Sequence, residues 1–404
     1  MIRRLARRGA VLSAAALFLT GCSGGAADAE PKAAPPKHPV FDQKIDRQMF
    51  LALRETQEAG TAGFTQRLTL ETKKGKAVQT VEGRLDFARN TGSATIRWTV
   101  PKQYPDAAKD VILGRAPGRS YADAVGRVVV DAQSITYQAG SADYWLRYAY
   151  GDYDASANTL DLLRGTEAPV GGTLLEALGS ARAKSRQGLN YRAEVIVDPV
   201  WEMLPGELSE QLLSERYTPG VTNVKEVPLT VSLDTEGRFS RVRADLSGML
   251  RKKGGLFSDA TAMTLELTLD GYGRSQPESR PKGRVLEAAK TVRSIHQVKP
   301  GRCVDFSTGR READLVAEVP CAKPHDGRLF AQKTFGGSAY PGKSAARSRA
   351  RQACRDAYPG AADSWTSDAD KQGSYWFMWS SEYDWEQDGK GRVSCYVVTA
   401  RGQV

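Results

Sequence analysis

The chain has 404 residues, of which 41% are hydrophobic, with 57 Lys and Arg against 47 Asp and Glu for a formal charge of +10. Its length suits two globular domains better than one, and its apolar content is that of a protein that buries real cores, which excludes a wholly disordered chain. The basic excess is mild and no nucleic-acid-binding motif accompanies it, so nucleic acid is not expected as a partner.

At the N-terminus, Arg3, Arg4, Arg7 and Arg8 precede an apolar run over residues 10–19. The run is too short to span a bilayer as a permanent helix and reads as the core of an export signal. It ends in Leu19-Thr20-Gly21-Cys22, which resembles the lipobox of bacterial lipoproteins. The resemblance implies that residues 1–21 are a signal peptide, that the chain is cut before Cys22, and that Cys22 is diacylated. No cofactor is expected beyond this covalent diacylglycerol and acyl anchor. Cleavage would remove four arginines and leave a charge of +6. Each buried methylene contributes about 0.8 kcal/mol, so two or three acyl chains hold a protein durably on the extracytoplasmic face of the cell membrane. Residues 22–40 are mostly Gly, Ala, Pro and charged, with no Phe, Tyr or Trp. They read as a flexible tether that extends by about 3 Å per residue.

Residues 41–272 form the first expected domain. Ile45, Met49, Phe50 and Leu53 fall on one face of a helix over residues 43–57, ended near Gly60. The period then changes to two. Leu68 and Leu70 alternate with Arg67, Thr69 and Glu71, and Ile96, Trp98 and Val100 with Arg97 and Thr99. Lys73-Lys74-Gly75-Lys76 and Asn90-Thr91-Gly92 supply turns. Further strands fit residues 81–87, 128–131, 134–138, 144–148, 191–197, 227–233, 239–246 and 263–269. About ten strands make a sheet that must curl. Thr173 and Glu176 have capping-box spacing for a helix to about residue 183, and a second short helix fits residues 205–216.

The order of these elements resembles the LppX/LprG-like lipoproteins of actinobacteria, whose half-barrel is related to the carriers LolA and LolB. The residues that carry the resemblance are Asp143 to Arg147, Val197-Asp198-Pro199 and the hairpin from Asp234 to Gly237. It implies that the space between sheet and helices can hold an envelope lipid or glycolipid. The same apolar residues, Leu70, Leu85, Ile96 and Trp98, read equally well as a closed core.

Residues 273–297 are expected as a linker, with a short helix over residues 284–295, and residues 298–404 as a second domain. All four remaining cysteines, Cys303, Cys321, Cys354 and Cys395, lie there. An even number in an oxidising compartment implies disulfides, and four cysteines allow three pairings. Short strands that can neighbour each other favour Cys303 with Cys321, which leaves Cys354 with Cys395. Cys354 falls on a helix over residues 344–358, with Ala346, Ala350, Ala353 and Ala357 inward and Arg347, Arg351 and Arg355 sharing the outer face. Three like charges on one face call for an acidic neighbour, and Glu382, Asp384, Glu386 and Asp388 are the candidates. More broadly, residues 280–356 carry 17 basic against 7 acidic side chains, and residues 361–390 carry 7 acidic against 2 basic. Either the two stretches face each other, or the basic one meets anionic lipid headgroups, wall polyanions or an acidic partner.

The string from Val319 to Asp326, Val-Pro-Cys-Ala-Lys-Pro-His-Asp, with Cys354 on a helix and Trp385 before a last strand holding Cys395, resembles the septum-formation domain of actinobacterial envelope proteins. Lys323 departs from it, because relatives often carry an acid there. The resemblance implies a link to division, with His325, Arg347, Arg351 and Arg355 as candidate contacts for a cell-wall or divisome protein. It assigns no chemistry. His325 and Asp326 are adjacent, and neighbours in a turn usually point apart, so the pair makes no triad; no catalytic residue and no metal site are expected.

The fold class expected is α+β, with a strongly curved antiparallel half-barrel, packed helices and a smaller disulfide-braced α+β domain. The function expected is that of a non-enzymatic, lipid-anchored envelope lipoprotein offering a binding module at the wall or division site. A lipid carrier is the alternative.

Overall fold

The structure is a computed structural model that describes residues 37–113, 125–131, 133–140, 142–149, 174–201, 203–205, 208–209, 211–212, 224–250, 255–274, 280–308, 314–337, 339–362, 364–365 and 375–398. The lipobox with Cys22, most of the expected tether and Thr173 lie outside these residues.

Helix α1 (Ile45–Glu58) buries Met49, Ala52, Leu53 and Thr56 along one stripe. Phe50, expected on that stripe, is 56% exposed. It sits about 100° around the helix from Met49, on the flank of the stripe. Gln48 is buried in its place and is satisfied by hydrogen bonds: its Nε2 donates to the Gln43 carbonyl at 2.6 Å, and its Oε1 accepts from the Tyr191 hydroxyl at 2.6 Å.

Two antiparallel meanders follow. The first comprises β1 (Thr61–Thr72), β2 (Gly75–Asp86), β3 (Thr91–Thr99), β4 (Val125–Val130), β5 (Ser134–Ala139) and β6 (Tyr144–Ala149), with helix α2 (Asp106–Leu113) between β3 and β4. The second runs through α3 (Leu174–Ala177), β7 (Arg182–Gln187), β8 (Asn190–Ile196), α4 (Val197–Trp201), β9 (Glu226–Leu233), β10 (Phe239–Asp245) and β11 (Ala260–Asp270). β11 pairs with β1, so the two meanders merge into one curved sheet that β12 (Arg284–Glu287) extends to twelve strands. Along β1 the buried residues alternate with less buried ones, and Phe64, Leu68 and Leu70 join Met49 and Leu53 of α1, Leu174 and Leu178 in one core. Strand periodicity thus sets which face is covered by helices and which is open.

The helix expected to run from Thr173 to about residue 183 is shorter. α3 ends at Ala177, and after a 3-10 turn over Leu178–Ser180 the chain becomes edge strand β7. Gly179 and Ser180 are poor helix formers, and the alternating Arg182, Lys184 and Arg186 suit an edge that must stay soluble. The helix expected over residues 284–295 is four residues long, α5 (Ala288–Thr291), between β12 and β13 (Val292–Ser294). Val285 and Leu286 find parallel partners in Trp145 and Leu146 of β6, which keeps them extended.

The second sheet has six antiparallel strands, in the order β13, β15 (Leu315–Val319), β14 (Cys303–Asp305), β16 (Gly327–Gly336), β18 (Lys390–Val398) and β17 (Trp376–Trp379). Helix α6 (Lys343–Ala357) packs on β16, β17 and β18, and α7 (Glu382–Asp388) on β18.

β6 joins the two sheets. Tyr144, Leu146 and Tyr148, on the same face as Tyr137 and Ile135, pack against Ala288, Cys303, Ala317 and Val319. Buried Tyr144 donates its hydroxyl to Asp305, itself 1% exposed, at 2.5 Å, and Tyr148 donates to the Thr308 carbonyl. A hydrogen bond to a buried charged group contributes about 1.5–3 kcal/mol. Tyr144→Phe is expected to lower the unfolding free energy by about that amount in urea titrations, and an unchanged midpoint would show that this contact does not hold the sheets together.

Candidate functional site

The residues singled out in the second sheet occupy two places. The first is the turn after β15. Cys303 on β14 and Cys321 beyond β15 form a disulfide, with the strands paired through Cys303 and Val319. The turn is tightened by the Lys323 amide, which donates to the Pro320 carbonyl at 2.9 Å. His325 is 6% exposed, and its Nδ1 lies 2.7 Å from the Lys323 carbonyl. A carbonyl only accepts, so Nδ1 carries the proton. Asp326, 4% exposed, accepts from the Phe306 amide at 3.0 Å through Oδ2, while its own amide donates to Asp305. The two side chains serve different backbone groups and do not form an acid–base pair.

The second place is α6. Cys354 is fully buried and bonded to Cys395 of β18, and Ala346 and Ala350 are buried beneath the helix. Arg347, Arg351 and Arg355 are exposed, about 100° around the helix from that buried stripe. The expected meeting with the carboxylates of residues 382–388 does not occur. Among the described residues none of these three arginines has an ion pair, and Asp388 instead pairs with Arg392 at 2.8 Å. The 382–388 helix packs back on β18, where Arg392 takes Asp388, while α6 meets β18 through Val393 and Cys395. The guanidiniums stand as a row with no ion pair among the described residues, on a helix fixed to its sheet by a covalent bond.

Trp385 is core. It is 1% exposed, its Nε1 donates to the Gly337 carbonyl at 2.9 Å, and its ring stacks on Phe335 with centroids 6.2 Å apart. The ring lies so close to Gly391 that a Cβ there would come within 2.1 Å of it, so only glycine fits. Trp376 and Trp379 are half-buried.

A polar cluster behind the sheet was not foreseen from the sequence. His296 Nδ1 lies 2.9 Å from the hydroxyl of Ser394, a residue that is fully buried on β18, and Gln332 donates to the same hydroxyl at 3.3 Å. Its only sequence signal was a lone Ser at an inward position of an apolar strand. A fully buried hydroxyl cannot reach a substrate, so the Ser–His contact is structural. Burial lowers the His296 pKa below its usual value; Arg392 acts in the same direction and Asp314 opposes it. No group of three or more His, Cys, Asp or Glu among the described residues is placed to hold a metal ion.

The fold and these sites define the class: a two-sheet α+β protein whose smaller sheet is braced by two disulfides and carries a row of arginines with no ion pair among the described residues. No protein-family model and no curated protein matches the chain. Solved structures similar to it include the Mycobacterium tuberculosis lipoprotein LppX, 12% identical, covering 58% of this chain and 100% of that one, with a TM-score of 0.27. The MucA/MucB complex of Pseudomonas aeruginosa is 11% identical and covers 87% of this chain and 94% of that one, with a TM-score of 0.27. A putative outer membrane lipoprotein-sorting protein domain from Vibrio parahaemolyticus is 10% identical and covers 57% and 95%, with a TM-score of 0.20. At these scores the likenesses carry no argument about function. No helix among the described residues is long and apolar enough to cross a membrane.

The folded state holds a proton on His296 less readily than the unfolded chain, whose His titrates near 6.5. Its contribution to stability is therefore complete above about pH 6.5 and is lost progressively as pH falls below that value. Urea midpoints between pH 8 and pH 5 should fall more steeply for the native chain than for His296→Gln, and parallel curves would contradict the assignment.

Proposed function

We propose that this chain is a non-enzymatic, lipid-anchored protein of the cell envelope whose second sheet offers the arginine face of α6 to an acidic partner at the wall or division site. In this reading Cys22 carries the lipid, residues 22–40 are the tether, residues 41–272 are a half-barrel scaffold joined through residues 273–297, and residues 298–404 are a septum-formation-like binding module. The two disulfides fit an oxidising, extracytoplasmic compartment. Arg347, Arg351 and Arg355 carry the proposal: they have no ion pair among the described residues and stand beside the buried stripe of a helix fixed by the Cys354–Cys395 bond. A rigid row of like charges costs little to order on binding and complements an acidic surface. His325 would hold the Cys321 turn in shape.

Cross-linking in intact cells, followed by gentle extraction of the full-length chain, tests this reading. The variant R347E/R351E/R355E is expected to lose its cross-linked envelope partners by tenfold or more with its thermal midpoint unchanged. The same partners recovered in full would overturn the reading.

A second reading makes the half-barrel a carrier of an acyl lipid, which would have to displace the elements packed on its apolar face. Native mass spectrometry of the extracted chain decides it: a lipid mass that denaturation releases supports a carrier, and a bare acylated chain excludes one.

A further inference from the structure

The open face of the twelve-stranded sheet, opposite the core, carries a groove of about 730 Å3. Strand register builds it. Thr65, Glu82, Thr95, Arg127 and Gln138 are successive Cα partners across β1 to β5, and their side chains form one row. Gly63, Arg84, Ser93 and Val129 form the next row, with Asp270 of β11 paired to Gly63. Ser93 and Thr95 are short and make a floor on β3, between Glu82 and Arg84 on one side and Arg127 on the other. The segment holding Arg280 and Lys282 closes one end, fixed where Trp145 Nε1 donates to the Lys282 carbonyl at 3.0 Å.

The lining is chemically mixed. Arg84 and Lys282 are exposed and have no ion pair among the described residues, while Arg127 donates to Gln138 Oε1 at 3.2 Å and so holds its guanidinium over the floor. Arg84, Arg127 and Lys282 outnumber Glu82 and Asp270. Guanidinium and ammonium groups select a phosphate, whereas carboxylates, hydroxyls and an amide select the hydroxyls of a polyol. The volume lies within the range of small-ligand sites, about 300–1,000 Å3.

We propose that this groove binds a phosphorylated polyol, with Arg84, Arg127 and Lys282 taking the phosphate and Glu82 and Asp270 taking hydroxyls. Such a group occurs both as the headgroup of an envelope lipid and as the repeat of a wall polymer. The site is on the face away from the apolar core and is independent of the partner surface on α6, so its failure leaves the function proposed above intact.

Titration calorimetry on the full-length chain in neutral detergent, at low and physiological salt, tests the proposal with three probes: inositol 1-phosphate, a soluble glycerol phosphate oligomer and uncharged inositol. At least one phosphorylated probe is expected to bind, more weakly at higher salt. R84A/R127A should reduce that affinity tenfold or more, and R192A/R243A, which removes exposed arginines of β8 and β10, should leave it unchanged. Binding of inositol 1-phosphate alone assigns the lipid headgroup, and binding of the oligomer alone the wall polymer. The proposal is overturned if neither phosphorylated probe binds, if uncharged inositol binds as well as they do, or if R84A/R127A binds as the native chain does.

Discussion

The joining of the two sheets depends on both edges and both faces of β6. Its backbone pairs antiparallel with β5 on one side and parallel with β12 on the other. Its Tyr144, Leu146 and Tyr148 pack against the second sheet, and two tyrosine hydroxyls reach groups in it. A parallel pair needs a long connection, and here that connection brings in the whole second meander before β12 returns. The side chains on the opposite face, Trp145 and Arg147, hold the returning segment through the Lys282 carbonyl and Glu287.

This arrangement divides the chemistry of the molecule. The apolar face of the large sheet is occupied by its own helices, whereas its polar face is left open. The second sheet is small, and its two disulfides supply rigidity that a larger core would otherwise provide; each such closure typically stabilises by about 2–4 kcal/mol. The rigidity is what makes the arginine row on α6 usable. A flexible helix would turn its like charges apart, but one bonded at Cys354 and seated on Ala346 and Ala350 keeps them aligned.

Period-two alternation made β1, β2 and β3 legible in the sequence, and the i, i+4, i+8 spacing made the α6 arginine face legible, because both follow from local geometry. The neighbouring of β14 and β15 also made the Cys303–Cys321 pairing a reasonable expectation. What local pattern cannot carry is register and distance. β12 looked helical because its partner, β6, is more than a hundred residues away. The 382–388 carboxylates lie close in sequence to Cys395, yet their helix packs back on β18, where Arg392 takes Asp388. The phosphate groove was invisible for the same reason: Glu82, Arg84, Ser93, Thr95 and Arg127 are ordinary outward residues until pairing places them side by side. Phe50 was misplaced by its neighbour Met49, and Gln48 was buried by partners that only the tertiary structure supplies.

If β6 makes the two sheets one cooperative body, the α6 face and the outer groove are held in fixed positions. Native-state hydrogen exchange in rising urea tests it most directly. Amides of β6, β14 and β15 should lose protection together with those of β1 to β5, in a single transition. Loss of protection in β14 and β15 at a urea concentration where β1 to β6 remain fully protected would contradict it.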